Sequence, residues 1–157
     1  MTPLTWNLLL ALLWAALTGN FSGVNLLVGF IFGYLALAIG LRELPGVRSY
    51  LKRVPKVIGF ILFFFKELIV SNLKVAWDVV TPTHLMSPGV IAFPLTVRTD
   101  AEITTLANLI SLTPGTLSLD VSSDKKVLYI HVMYLDDRSA VFASIHDLER
   151  RILEMMR

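Results

Sequence analysis

The side chains with most capacity for chemistry lie in FFFKELIVSNLKVAW, residues 63–77, where Lys66, Glu67, Asn72 and Lys74 interrupt a run of large apolar residues. Ionisable groups at membrane depth are functional candidates by default, because hydrocarbon tolerates a charge only where it is paired or handles an ion. Glu67 is the member suited to carrying a proton or a cation. The competing reading keeps all four at headgroup level, on a helix that lies along the membrane surface. An interface or anchoring role is expected of the group.

Elsewhere the sequence offers little. It holds no P-loop, GxSxG, HExxH or EF-hand pattern. It has no cysteine, which excludes disulfides, thiol catalysis and Cys-based metal sites. His84, His131 and His146 are scattered, and no metal is expected. His131 alternates with the inward Ile130 and Val132 and reads as solvent-facing or interfacial. Asp120, Asp124, Asp136 and Asp137 read as turn carboxylates. Asp147, Glu149, Arg150, Arg151 and Glu154 read as a solvated helix face laced by ion pairs. LTPGT, residues 112–116, follows a helix, so its amides sit at the wrong end of the dipole for an anion. Thr113, Pro114 and Gly115 are therefore expected to form a tight helix-to-strand turn. No enzyme activity, cofactor or nucleic-acid partner is expected.

The elements that position these residues follow from composition. The chain has 157 residues, of which 55% are hydrophobic and 17% charged. That is too apolar for a soluble domain of this size. The first 41 residues carry no charge; Arg42 is the first. Such a run is about twice the roughly 20 residues of one helical span. It is also too long for a signal peptide, and no Lys or Arg precedes it. Gly19-Asn20 sits near its middle and suits a helix–helix turn. The spacing predicts spans over residues 4–18 and 21–41, a two-helix transmembrane hairpin within residues 1–41. Gly29 and Gly33 form a GxxxG that lets another helix approach closely.

Residues 42–56, RELPGVRSYLKRVPK, set five basic residues against one acidic. The positive-inside rule makes this a cytoplasmic loop, with the 19–20 tip outside. Residues 57–65 are too short to span. Extension to residue 77 takes in three charges, each costing roughly 2.5–3.5 kcal/mol, against about 0.3–0.6 kcal/mol returned per large apolar residue. Insertion is marginal. Lys56, Gly59, Phe63, Glu67, Ser71, Lys74 and Asp78 fall on one stripe, so residues 57–81 form an amphipathic helix. It lies in the interface, or spans against a partner that covers the stripe. The first arrangement, with a cytoplasmic C-terminal domain, is the expectation.

Beyond Pro82 the period changes. Residues 90–98 read as a strand that Pro94 confines to an edge or a bulge. Thr99 and Glu102 form a capping box ahead of a helix whose stripe is Ile103, Leu106, Ala107 and Ile110. Residues 116–121 and 127–134 read as a hairpin, with Leu117, Leu119 and Val121 on one face. Residues 138–156 read as a helix with Val141, Ile145, Leu148 and Ile152 buried. Residues 82–157 thus form a small α+β domain of order β-α-β-β-α.

KELIVSNLKVAWDVVTP, then LANLISLTPGTLSLDV, then LYIHVM together resemble the small E component of the Mrp-type (Mnh, Pha) multisubunit cation/proton antiporters of bacteria and archaea. The likeness runs over essentially the whole chain; Ser71 departs from the alanine more usual there. The resemblance implies an inner-membrane complex exchanging protons for sodium or potassium, with large polytopic subunits as partners beside the lipid bilayer. For the E component it implies assembly, stability or modulation rather than an ion path. A membrane-tethered α+β sensor of a small ligand or a cytoplasmic protein is the competing class.

Overall fold

Thr2 and Pro3 open the first helix: the Thr2 hydroxyl accepts from the Thr5 amide, and Pro3 takes the first helical position. In the computed structural model, which describes residues 2–82 and 86–156, this helix is α1, Pro3–Thr18. Gly19 ends it in the left-handed region, φ 65°. Ser22 then caps α2, Gly23–Gly40, by accepting from the Asn25 amide. The turn between them is tied by Asn25. Its carboxamide accepts from Trp14 Nε1 at 3.1 Å and donates to Thr18 Oγ1 at 2.7 Å and the Asn20 carbonyl at 2.6 Å.

The GxxxG packs within the chain. Gly29 lies against Ala11 and Trp14, and Gly33 against Asn7 and Leu10, so α1 and α2 run antiparallel. Trp14 packs against Phe32 at 4.8 Å between ring centres, the planes tilted by 43°. The outward faces of both helices carry exposed leucines, isoleucines and phenylalanines.

Residues 42–56, expected as a loop, are helical from Pro45 onward. They open α3, Pro45–Val80, a helix of 36 residues. Pro45 suits the first turn, Arg and Lys are good helix formers, and Pro55 sits inside the helix at the cost of a backbone donor. The chain divides into two units, Met1–Val57 and Ile58–Arg157.

The second unit holds β1 (Gly89–Pro94), α4 (Asp100–Leu112), β2 (Thr116–Val121), β3 (Val127–Val132) and α5 (Arg138–Met156). The sheet is antiparallel with order β1-β3-β2. β1 stops at Pro94, short of residue 98, and is an edge strand. The capping box at Thr99 and Glu102 is formed in both directions. Ile91, Phe93, Leu128, Ile130 and Val132 of the sheet pack with Leu106 and Ile110 of α4 and Ile145 and Ile152 of α5. Phe60 of α3 joins this core.

A register shift between Ser118 and Asp120 overturns the expectation that Leu117, Leu119 and Val121 share a face. The bulge turns Leu117 and Leu119 outward, while Val121 packs at the core opposite Leu128. Ser118 takes the inward place and donates from Oγ to the Ala107 carbonyl at 2.9 Å.

Candidate functional site

In the first unit the polar groups gather at one end of the hairpin. Asn7 is fully buried, and its Nδ2 donates to the Tyr50 hydroxyl at 2.7 Å. The Tyr34 hydroxyl donates to the Leu51 carbonyl at 3.1 Å, with its ring edge-on to Tyr50. Among the described residues no N–H or O–H reaches the Asn7 Oδ1, which fills the space beside the Gly33 backbone where a Cβ would stand. These groups are neutral. They tie the start of α3 to the hairpin.

In the second unit the polar stripe of α3 turns toward the α+β fold and the apolar side turns away. Phe60 and Asp78 are buried, and Phe63, Glu67 and Ser71 are half-buried. The Arg151 guanidinium sits 3.9 Å over the Phe63 ring. Ile58, Leu62, Phe65, Ile69, Leu73 and Trp77 are exposed in a row.

The four residues singled out in this helix do not converge. Lys66 is exposed, and Glu67 is half-buried on the stripe. Asn72 is exposed and donates from Nδ2 to the Leu68 carbonyl of its own helix at 2.7 Å. Lys74 lies about 12 Å along the axis from Lys66, at 1.5 Å rise per residue. Its ammonium sits 4.1 Å over the Tyr134 ring.

Lys74 borders an open cleft of about 500 Å³ lined also by Trp77, Asp78, Met86, Ser87, Tyr134 and Asp136. Three segments build it. The last turns of α3 give Lys74, Trp77 and Asp78. Ser87 and Tyr134 meet in a parallel bridge, closed by the Leu135 amide donating to the Ser87 carbonyl at 2.9 Å. The Ser87 hydroxyl donates to Asp136 Oδ1. Burial, then the neighbouring Asp78 carboxylate, raise the Tyr134 hydroxyl above the usual tyrosine value. Sequence reasoning missed Trp77, Ser87 and Tyr134 because no local pattern links residues brought together from three separate segments.

At the turn of Thr113, Pro114 and Gly115 the last carbonyls of α4 point forward, and two of them are taken by threonine hydroxyls. Thr113 Oγ1 donates to the Leu109 carbonyl at 2.9 Å, and Thr116 Oγ1 to the Ile110 carbonyl at 2.6 Å. Gly115 has φ 88°.

Glu149 departs from its expected place on a solvated face. It is 1% exposed, and its Oε1 accepts from the Thr96 and Val97 amides at 2.7 and 3.0 Å. Its Oε2 lies 3.5 Å from His146 Nδ1. Its neighbours keep to the surface: Arg151 Nε donates to Asp147 at 2.8 Å and Arg150 Nη1 to Glu154 at 2.7 Å. Arg151, then Arg150, hold the Asp147 carboxyl below its usual range. Asp137 receives the Ser139 and Ala140 amides at the start of α5. Its carboxyl is lowered first by the Ser139 hydroxyl. His131 is half-buried on the sheet face opposite Ile130, and His84 lies outside the described residues.

Over nearly its whole length the chain is similar to known antiporter components. It is 39% identical over 150 residues to the E subunit of a Na(+)/H(+) antiporter of Alkalihalophilus pseudofirmus, covering 95% of this chain and 94% of that one. It is 36% identical over 152 residues to the Bacillus subtilis protein of the same designation, covering 96% of each. Among solved structures it is similar to a chain of the Mrp complex from Dietzia sp. DQ12-45-1b (TM-score 0.51, 35% identity, 64% of this chain and 96% of that one). It is also similar to a chain of the membrane-bound sulfane sulfur reductase, an archaeal respiratory membrane complex (TM-score 0.52, 30% identity, 86% and 84%). Residues 7–155 match the sequence model of the family MNHE, described as Na+/H+ ion antiporter subunit, and the chain belongs to that family.

Proposed function

We propose that the chain is an accessory membrane subunit of a multisubunit antiporter exchanging Na+ or K+ for H+. It supports assembly, stability or modulation of the complex and leaves the ion path to large polytopic subunits. One observation carries the reading. Residues 2–41 hold no Asp, Glu, Lys, Arg or His, and the polar cluster at the hairpin's end, Asn7, Tyr34 and Tyr50, is neutral. Proton relays and coupled cation sites within a bilayer are marked by ionisable side chains. The family and the designations of its relatives support the same reading.

On this reading α1 and α2 cross a bacterial or archaeal inner membrane, with the 19–22 turn outside. The third helix stays at the interface. Its side bearing Phe60, Phe63, Glu67, Ser71 and Asp78 faces its own α+β fold, whose surface carries Asp147, Arg150 and Glu154. A span over those residues would draw such charges into hydrocarbon, at roughly 2.5–3.5 kcal/mol each. The apolar row from Ile58 to Trp77 rests on lipid, and residues 82–157 are cytoplasmic.

A C-terminal tag and extraction of native membranes in mild detergent test the role in a complex. Recovery with large polytopic proteins is expected. Recovery alone or as a small homo-oligomer would turn the reading toward a membrane-tethered sensor, for which the cleft beside Lys74 is the natural receptor. Topology is tested with single cysteines against a background that has none. An impermeant maleimide added to intact cells is expected to label Asn20→Cys and spare Ser123→Cys; labelling of the latter would mean that α3 spans.

A further inference from the structure

The cleft beside Lys74 and the apolar row of α3 share a residue. Trp77 lines the cleft and is 67% exposed, one turn from the exposed Leu73 and Val80. A ligand seated in the cleft can therefore continue onto an apolar surface without crossing water. Indole rings favour the level where headgroups meet acyl chains.

The charges of the cleft select the headgroup. It contains one ammonium, Lys74, and two carboxylates, Asp78 and Asp136. Asp78 is buried, Asp136 is oriented by the Ser87 hydroxyl, and Lys74 is held over the Tyr134 ring. A bare phosphate would meet two like charges for each opposite one. A bare cation would meet the Lys74 ammonium, which already occupies the Tyr134 ring face. A ligand with a phosphate and a primary ammonium a few bonds apart satisfies both: phosphate toward Lys74, ammonium toward Asp136 and the open face of Trp77.

We propose that the cleft binds the headgroup of a zwitterionic aminophospholipid, with phosphoethanolamine chemistry, its acyl chains leaving over Trp77 onto Leu73 and Val80. The site rests on the reading that the apolar row of α3 lies on lipid. It would fix the α+β fold against one class of lipid.

The test uses the full chain purified in detergent and native mass spectrometry to count retained ligand. Short-chain phosphatidylethanolamine, short-chain phosphatidylglycerol and free phosphoethanolamine are offered separately. The ethanolamine lipid is expected to bind at about tenfold lower concentration than the glycerol lipid, and the free headgroup not to be retained. Lys74→Gln, at an exposed position, and Asp136→Asn are each expected to weaken retention about tenfold, with circular dichroism unchanged. Equal retention of the two lipids, or wild-type retention in Lys74→Gln, overturns the site. Retention of free phosphoethanolamine as tightly as the lipid overturns the lipid source. A chain that selects the ethanolamine lipid but co-purifies with no large partner keeps the site and loses the antiporter role; the converse loses only the site.

Discussion

Asn7 and Gly33 interlock across the hairpin: the carboxamide oxygen of Asn7 occupies the space in which any side chain on residue 33 would begin. Gly33→Ala must push the helices apart or expel a fully buried amide. A loss of about 1–3 kcal/mol is expected. Titration with SDS, followed by Trp14 fluorescence in a background with Trp6→Phe and Trp77→Phe, measures it, since Trp14 packs tilted against Phe32 only while the helices pack. Gly40→Ala is the control, because nothing lies within 4 Å of a Cβ there. It should change stability by no more than about 0.5 kcal/mol.

Glu149 is the second position where a small change should cost much. Its carboxylate receives two backbone amides that have no strand partner at that point. Glu149→Ala strands both and should cost about 3 kcal/mol; Glu149→Gln keeps an acceptor and should cost less. Glu154→Gln, which removes a surface pair with Arg150, should stay within about 1 kcal/mol. Urea unfolding followed by circular dichroism ranks the three.

The acid limb of stability should be shaped in part by Asp147. Its folded pKa lies below the unfolded value, so its contribution is complete above the unfolded value and disappears as pH falls through the folded one. The window opens just below about pH 4. Asp147→Asn should lower stability at pH 7 slightly, because the pair with Arg151 is half-buried and screened by solvent, and should flatten the decline below about pH 4. A variant whose acid limb matches wild type would refute the assignment.

The apolar row of α3 predicts a contrast in environment. A solvatochromic dye on Leu73→Cys should emit to the blue of the same dye on Ser123→Cys in proteoliposomes, and lipid nitroxides should quench only the former. Equal emission would mean that the row faces water or that both sites are covered.

Much of the second unit was legible in its sequence. The Thr99–Glu102 box, the alternation in 127–132 and the 3.6-residue stripe of α5 are local signals, and the elements lie there. What failed were the inferences that need tertiary context. The basic stretch 42–56 reports which side of the membrane a segment prefers and says nothing against helix, and the helix runs on through Pro55. The bulge at Ser118–Asp120 inverts a strand that alternates cleanly. Glu149 had a readable clue: residues 145, 149 and 152 share one helix face, so a carboxylate there needed a buried donor. The cleft had none, since Lys74, Ser87 and Tyr134 meet only through the bridge that the segments before β1 and after β3 form on folding.

The ties of the hairpin have a consequence for timing. Asn7 to Tyr50, Tyr34 to Leu51 and the glycine contacts of α2 all fall within the first 57 residues. All of them lie in the first part of the chain to be made, and an N-terminal unit folds while the rest of a chain is still being synthesised. On the proposed reading α1 and α2 can therefore settle in the bilayer before α5 leaves the ribosome. A nascent chain truncated after α3 should already hold its membrane orientation, leaving the α+β fold to assemble upon an anchor already in place.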